Sequence, residues 1–218
     1  MKTKTKSIMT ICLAVALVVA AVVGTIAYMT AQDSVENTFT VGSFNKPSTN
    51  PDGTPNPDLN AYIIEPTWVK DSKLIPGDNV AKDPYVGIGK GSDSAYVYVY
   101  IKNETLKDTG DKYVTFTLKT GWTAVDATTV TDSEGNTKYV SGLFKYNTVL
   151  TPDADKDAWT TTPIFEKVDV SKEATNDKFA TSPKMTVYAY IHQAHDDAEG
   201  DIPVSTINAN ATAWAAGL

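Results

Sequence analysis

LIPGDNVAKDPYVGIGKGSDSAYVYVYI, running from Leu74 to Ile101, is the stretch whose reading decides the fold. Pro76 presets φ for a turn and Gly77 tolerates positive φ, so Pro76-Gly77-Asp78 predicts a reversal of the chain. A strand is expected over Val80 to Val86, followed by a hairpin turn in the Gly/Ser/Asp-rich run that begins at Gly87. From Ala95 the period is two. Ala95, Val97, Val99 and Ile101 point one way, and Tyr96, Tyr98 and Tyr100 the other. This is a strand with one face on an apolar core and an aromatic stripe on the second.

The same signals recur on either side. Downstream, Tyr113 to Lys119 alternates again, and Asp132-Ser133-Glu134-Gly135-Asn136 predicts a hairpin turn joining Val125–Val130 to Lys138–Tyr146, with Gly142 marking a bulge. Pro163 to Val170 and Lys184 to Ala194 complete the strands; in the latter Val187, Ala189 and Ile191 oppose Thr186, Tyr188 and Tyr190. Between them Ser171 to Ser182 is polar, a short helix or an insertion. The alanine-rich tail, Asn208 to Ala216, allows a short helix around Trp214. Upstream, Ala61 to Val69 predicts a strand that Pro66 restricts to an edge or bulge, and Lys46 to Asn60 is a Pro-rich loop with four prolines. Eight or nine short strands separated by turn signals predict an all-β fold: an antiparallel, jelly-roll-like β-sandwich with short helices or long loops as insertions.

Met1 to Ser7 is basic and Ile8 to Val23 is an apolar run broken only by Thr10, the layout of an export leader. Thr25-Ile26-Ala27 presents small residues where a signal peptidase reads, so cleavage is expected between Ala27 and Tyr28. An uncleaved membrane anchor is the alternative, since with Gly24 to Ala27 the run reaches the roughly 20 residues that span a bilayer. The expected organisation is thus a signal peptide over 1–27 and one sandwich domain over 28–218, secreted to the matrix or cell surface, with membrane contact only through an uncleaved leader. The net charge is −7, and the leader holds three of the 19 lysines and no acid, which leaves −10 on the remainder. A body this acidic does not seek nucleic acid or anionic lipid. The single cysteine, Cys12, lies in the leader behind a poor lipidation signal, so the exported chain has no disulfide to offer.

Directly behind the leader, Val35, Asn37, Phe39 and Val41 alternate with Glu36, Thr38 and Thr40, which predicts a strand that nothing upstream tethers. It can pair within its own domain or with a neighbour's.

Chemistry-bearing motifs are sparse. Asp153-Ala154-Asp155-Lys156-Asp157 opens like a calcium loop, but Ala158 stands where glycine is needed and Ile164 where a bidentate Glu belongs, so it reads as a solvated acidic turn. His192 and His195, the only histidines, fall on a strand-like stretch where positions three apart face opposite sides, and no H-E-x-x-H is present. There is no G-x-S-x-G, P-loop or G-x-G-x-x-G. No enzyme activity, cofactor or metal is expected. The tyrosines at 96, 98 and 100 form a candidate partner-binding face, or one side of a sheet covered by another part of the chain.

Taken together, several segments resemble the TasA and camelysin (CalY) family of exported matrix and fibre proteins of Gram-positive bacteria, processed by the signal peptidase SipW. They are Gly24-Thr25-Ile26-Ala27-Tyr28-Met29-Thr30, Asn37-Thr38-Phe39-Thr40-Val41-Gly42, Leu74-Ile75-Pro76-Gly77-Asp78 with Lys82-Asp83, Gly91-Ser92-Asp93-Ser94-Ala95-Tyr96-Val97, Ala189-Tyr190-Ile191-His192-Gln193-Ala194 and Ala213-Trp214-Ala215-Ala216. The sequence departs at Tyr98, where the family often has Arg, and at Lys90, where it has Asn. Camelysin relatives have been labelled metalloproteases, an activity not carried over without a zinc motif. The resemblance implies a jelly roll whose subunits polymerise when the freed N-terminal segment, 28–44, completes a neighbour's sheet, with Val35, Phe39 and Val41 as donor-strand anchors. The partner expected is therefore a second copy, with other matrix proteins possible. A monomeric surface adhesin using the tyrosine face is the competing class, and a metal-dependent hydrolase the third.

Overall fold

The computed structural model describes residues 29–30, 32–37, 62–69, 72–90, 92–108, 112–151, 158–195 and 202–218. The signal peptide, the Ala27/Tyr28 cleavage point, Phe39, Val41, the Pro-rich loop and the acidic run 153–157 lie outside them.

The fold is all-β, built on a curled, mainly antiparallel sheet. In chain order its strands are β1 (Met29–Thr30), β2 (Gln32–Asn37), β3 (Tyr62–Ile64), β4 (Lys73–Leu74), β5 (Asn79–Ala81), β6 (Tyr85–Gly89), β7 (Ala95–Leu106), β8 (Val114–Phe116), β9 (Trp122–Thr131), β10 (Thr137–Tyr146), β11 (Ala158–Thr160), β12 (Lys167–Val170) and β13 (Phe179–Gln193). One helix, α1 (Val204–Ala215), follows them. The large sheet runs β2-β13-β7-β10-β8-β12-β5, with β9 paired along β10; a three-stranded sheet, β11-β6-β3, lies apart from it, and β1 pairs with β4.

The period-two pattern explains where the core sits. Val97, Val99 and Ile101 of β7 and Met185, Val187, Ala189 and Ile191 of β13 pack with Val86 and Ile88 of β6 in one apolar cluster, so the two sheets share a core as the layers of a sandwich do. Phe116 holds its centre, with ring centroids 4.5 Å from Phe165 and 5.7 Å from Phe144. Burial of such rings is a main source of stability in a chain whose single cysteine, Cys12, can form no disulfide within it.

The hairpin at 132–136 forms as expected. Asp132 Oδ1 accepts from the backbone N–H groups of Glu134 and Asn136, and these bonds, that of Asn136 first, hold its carboxyl below the usual carboxylate range. Gly135 supplies the positive φ, +85°. The bulge expected at Gly142 is two register shifts flanking it, between Tyr139 and Ser141 and between Leu143 and Phe144.

Elsewhere the structure corrects the expectation. Val80 to Val86 is not one strand. The chain leaves the large sheet after Ala81 and enters the small one at Tyr85, because Pro84 has no N–H with which to continue a ladder. Consequently the Gly87–Asp93 run is no hairpin: β6 pairs with β3 and β11, not with β7. Ala61 to Val69 shrinks to β3 and a turn at Pro66-Thr67, and Pro163 to Val170 keeps strand geometry only in β12. Within Ser171–Ser182 there is one turn of 3-10 helix, Asn176–Lys178, before β13 begins.

Candidate assembly edge

The strand expected over Val35 to Val41 is seen as β2, which begins earlier at Gln32; Thr38 to Val41 lie outside the described residues, and β2 lies at the end of the large sheet within its own chain. β2 runs parallel to β13, with Gln32 to Asn37 beside Lys184 to Ala189 and Val35 beside Val187. On its other side β13 is bonded antiparallel to β7 from Gln193/Ala95 to Lys184/Glu104 and again at Phe179/Leu106. β13 thus lies between β2 and β7, and it is β2 that covers its outer edge over 184–189. A parallel partner cannot be tied to its neighbour by a tight turn, and β2 is separated from β13 by most of the chain. Among the described backbone pairings, β2 is held by one row of slanted bonds to β13, and β1 beside it pairs Met29 and Thr30 with Leu74 and Lys73. A row of this kind is the contact that an added strand makes on an open sheet edge. Asp33 and Glu36, two charges in a six-residue edge strand, discourage unselective pairing.

The tyrosine stripe is not open. Helix α1 lies over it: Ile207, Ala211 and Ala215 pack on Tyr98, Tyr190 and Leu143, with Trp214 at the border and its ring centroid 5.3 Å from that of Tyr190. Tyr98 is fully buried, and its hydroxyl donates to Asn208 Oδ1. Tyr96 and Tyr100 remain half-buried at the margins. The candidate partner face at Tyr96, Tyr98 and Tyr100 is thus the seat of the chain's own helix, because alternation that buries Val97 and Val99 leaves a second apolar surface to cover. The tail helix itself begins at Val204, earlier than its alanine-rich core suggested.

Burial, reinforced by Tyr96 and Tyr190, raises the pKa of Tyr98 above the ordinary 10.0. The folded state holds the phenol neutral, so the unfolded chain ionises first. The stability this contact contributes is present below pH 10.0 and is lost as the pH rises beyond it. Between about pH 9 and 11 the denaturation midpoint of the wild type is expected to fall further than that of Tyr98→Phe, which has no phenol to ionise at this position.

A third cluster, around Lys82 and Asp83, is marked in the sequence only by its place in a motif. Lys82 Nζ donates to Glu65 Oε1 at 2.7 Å and Oε2 at 3.0 Å, and sits 4.9 Å from the ring centroid of Trp68. Next to it, Asp83 Oδ1 accepts from the N–H of Thr67 at 2.8 Å. Together these contacts clamp residues 65–68 onto the point where the chain changes sheets. A lysine followed by an acid just before proline was the available signal.

His192 is buried on β13, its Nδ1 2.8 Å from the carbonyl of Gln193, whereas His195 lies exposed past the strand end. The acids that follow them in sequence, from Asp196 onward, lie outside the described residues. Among the described residues, no three His, Cys, Asp or Glu side chains gather as a metal would require. An open cleft of about 690 Å³ crosses the strands near Tyr113, Thr115 and Val130. Its lysines are engaged, Lys112 with the Thr129 carbonyl and Lys138 with Asp169 and Thr117. No protein-family model, no curated protein and no solved structure matches the chain.

Proposed function

We propose that the exported chain is a structural protein that polymerises into extracellular fibres of a matrix or cell surface by exchanging its N-terminal strand between subunits. The observation that carries this reading is the position of β2, an edge strand in parallel register on the outer edge of β13, whose other edge is held by β7. A segment held this way trades one copy of its partner for another at little net cost. Head-to-tail exchange does not close on itself and so makes filaments. The export leader, the acidic body and the resemblance to TasA-type matrix proteins support the same reading. No enzyme activity is part of it. The competing adhesin reading is weakened by α1, which occupies the aromatic face it would use.

The test is deletion of residues 28–41. Electron micrographs of the purified exported protein are expected to show regular filaments, and those of the deletion variant dispersed particles with β-rich far-UV spectra. Filaments that persist after the deletion contradict the proposal.

A further inference from the structure

Every sheet ends in edge strands, and among the described residues all but one are short. β3, β5 and β11 have three residues each, and β2 has six. Strand β9 has ten, Trp122 to Thr131, and pairs only with β10. Brevity, lysine and proline are the usual protections of an open edge. β9 has none of them: its sequence, WTAVDATTVT, carries one charge, Asp126, and neither Lys nor Pro. Four threonines and two valines make it a strong strand former, and Thr123, Val125, Asp126, Thr128, Thr129 and Thr131 are exposed. Its protections are the register shifts against β10 and the Lys112 ammonium, 3.0 Å from the carbonyl of Thr129.

We infer that β9 is a self-pairing interface, and that its partner is the β9 of a second copy, antiparallel about a two-fold axis. Length selects the partner: among the described edges, only another β9 offers a ladder of ten residues. Charge permits it, because a strip with a single carboxylate repels its own copy weakly although the exported body is strongly acidic. Isologous pairing of this kind closes at two copies, so it joins chains side by side instead of extending a filament. It requires no exchange of β2 and is independent of it.

The chain's only cysteine is Cys12, so in a Cys12→Ser background one introduced thiol can be oxidised only against another copy. Antiparallel pairing of the two ten-residue strands about a two-fold axis puts Val125 of one copy opposite Thr128 of the other. When chains carrying Val125→Cys are mixed with chains carrying Thr128→Cys, disulfides between the two kinds are therefore expected roughly tenfold faster than when either is mixed with chains carrying Ala213→Cys on the exposed side of α1, because pairing raises the local thiol concentration. Adding Thr123→Lys to both chains is expected to bring the rate down to that of the Ala213→Cys control while leaving the far-UV spectrum unchanged. Equal rates in the two mixtures, or a rate insensitive to Thr123→Lys, overturn the inference. Micrographs of the same samples report separately on filament formation, so loss of one interface is not mistaken for loss of the other.

Discussion

Replacing Glu65 with alanine is expected to cost the fold about 3–5 kcal/mol, the usual penalty for removing one member of a buried ion pair. The side chains of Lys82 and Glu65 are 3% and 6% exposed, so water cannot take over the solvation that the carboxylate provides. The Trp68 ring over the ammonium is a weaker interaction, about 2 kcal/mol when desolvated, than the carboxylate that the substitution removes. The pair also joins two parts of the fold. Lys82 follows β5, its N–H donates to the Glu166 carbonyl just before β12, and Glu65 follows β3 of the small sheet. Loss of the contact therefore loosens the junction between sheets. The double replacement of Lys82 by Met and Glu65 by Leu removes both desolvation penalties at once and is expected to cost less than either single change. Urea unfolding midpoints of the wild type, Glu65→Ala, Lys82→Met, Glu65→Leu and the double variant check both statements.

The second large effect is expected from Gly142→Ala. Gly142 has φ of +129°, where a side chain is strained, and an added Cβ would stand 2.3 Å from the Asp126 carbonyl oxygen and 2.4 Å from Ala127 Cα. Those are backbone atoms of β9, which cannot swing aside as a lysine tip can. Strain and overpacking together come to roughly 2–5 kcal/mol. Gly135→Ala is the control: its φ of +85° is equally left-handed, but nothing lies within 4 Å of the new methyl group. Only the conformational cost of about 1 kcal/mol remains there. Thermal unfolding of the two variants separates a crowded glycine from a merely left-handed one.

How far the sequence reveals this fold depends on whether a residue's task is local. The alternation at Ala95–Ile101 identifies β7 because each side chain's face follows from its neighbour's. The same strand continues to Leu106 through Lys102, Asn103 and Glu104, where no apolar pattern is visible. Asn103 is kept there by long-range bonds, its Nδ2 donating to the carbonyls of Val114 and Val140. The hairpin at Asp132–Asn136 is equally local and was readable. Pairing between distant segments was not: nothing in Gln32–Asn37 says that its partner is Lys184–Ala189, or that the ladder is parallel. The tyrosine stripe announced a surface in need of cover, but the identity of the cover depended on how α1 returns across β7 and β13. At Lys82-Asp83-Pro84, strand propensity on both sides masked a change of sheet that only the proline hinted at.

The proposed strand exchange is tested directly through the β2–β13 register, in which Gln32 and Lys184 are partners within one chain. Antibody-free detection suffices: chains carrying Gln32→Cys are mixed with chains carrying Lys184→Cys, both in the Cys12→Ser background, assembled and oxidised. Partners on adjacent strands fall within the Cα separation of about 4.4–6.8 Å that a disulfide spans. Exchange predicts disulfides between the two kinds of chain in the filaments, and a ladder of linked subunits when one chain carries both cysteines. Bonds that form only within single chains, in filaments as in free protein, would contradict it.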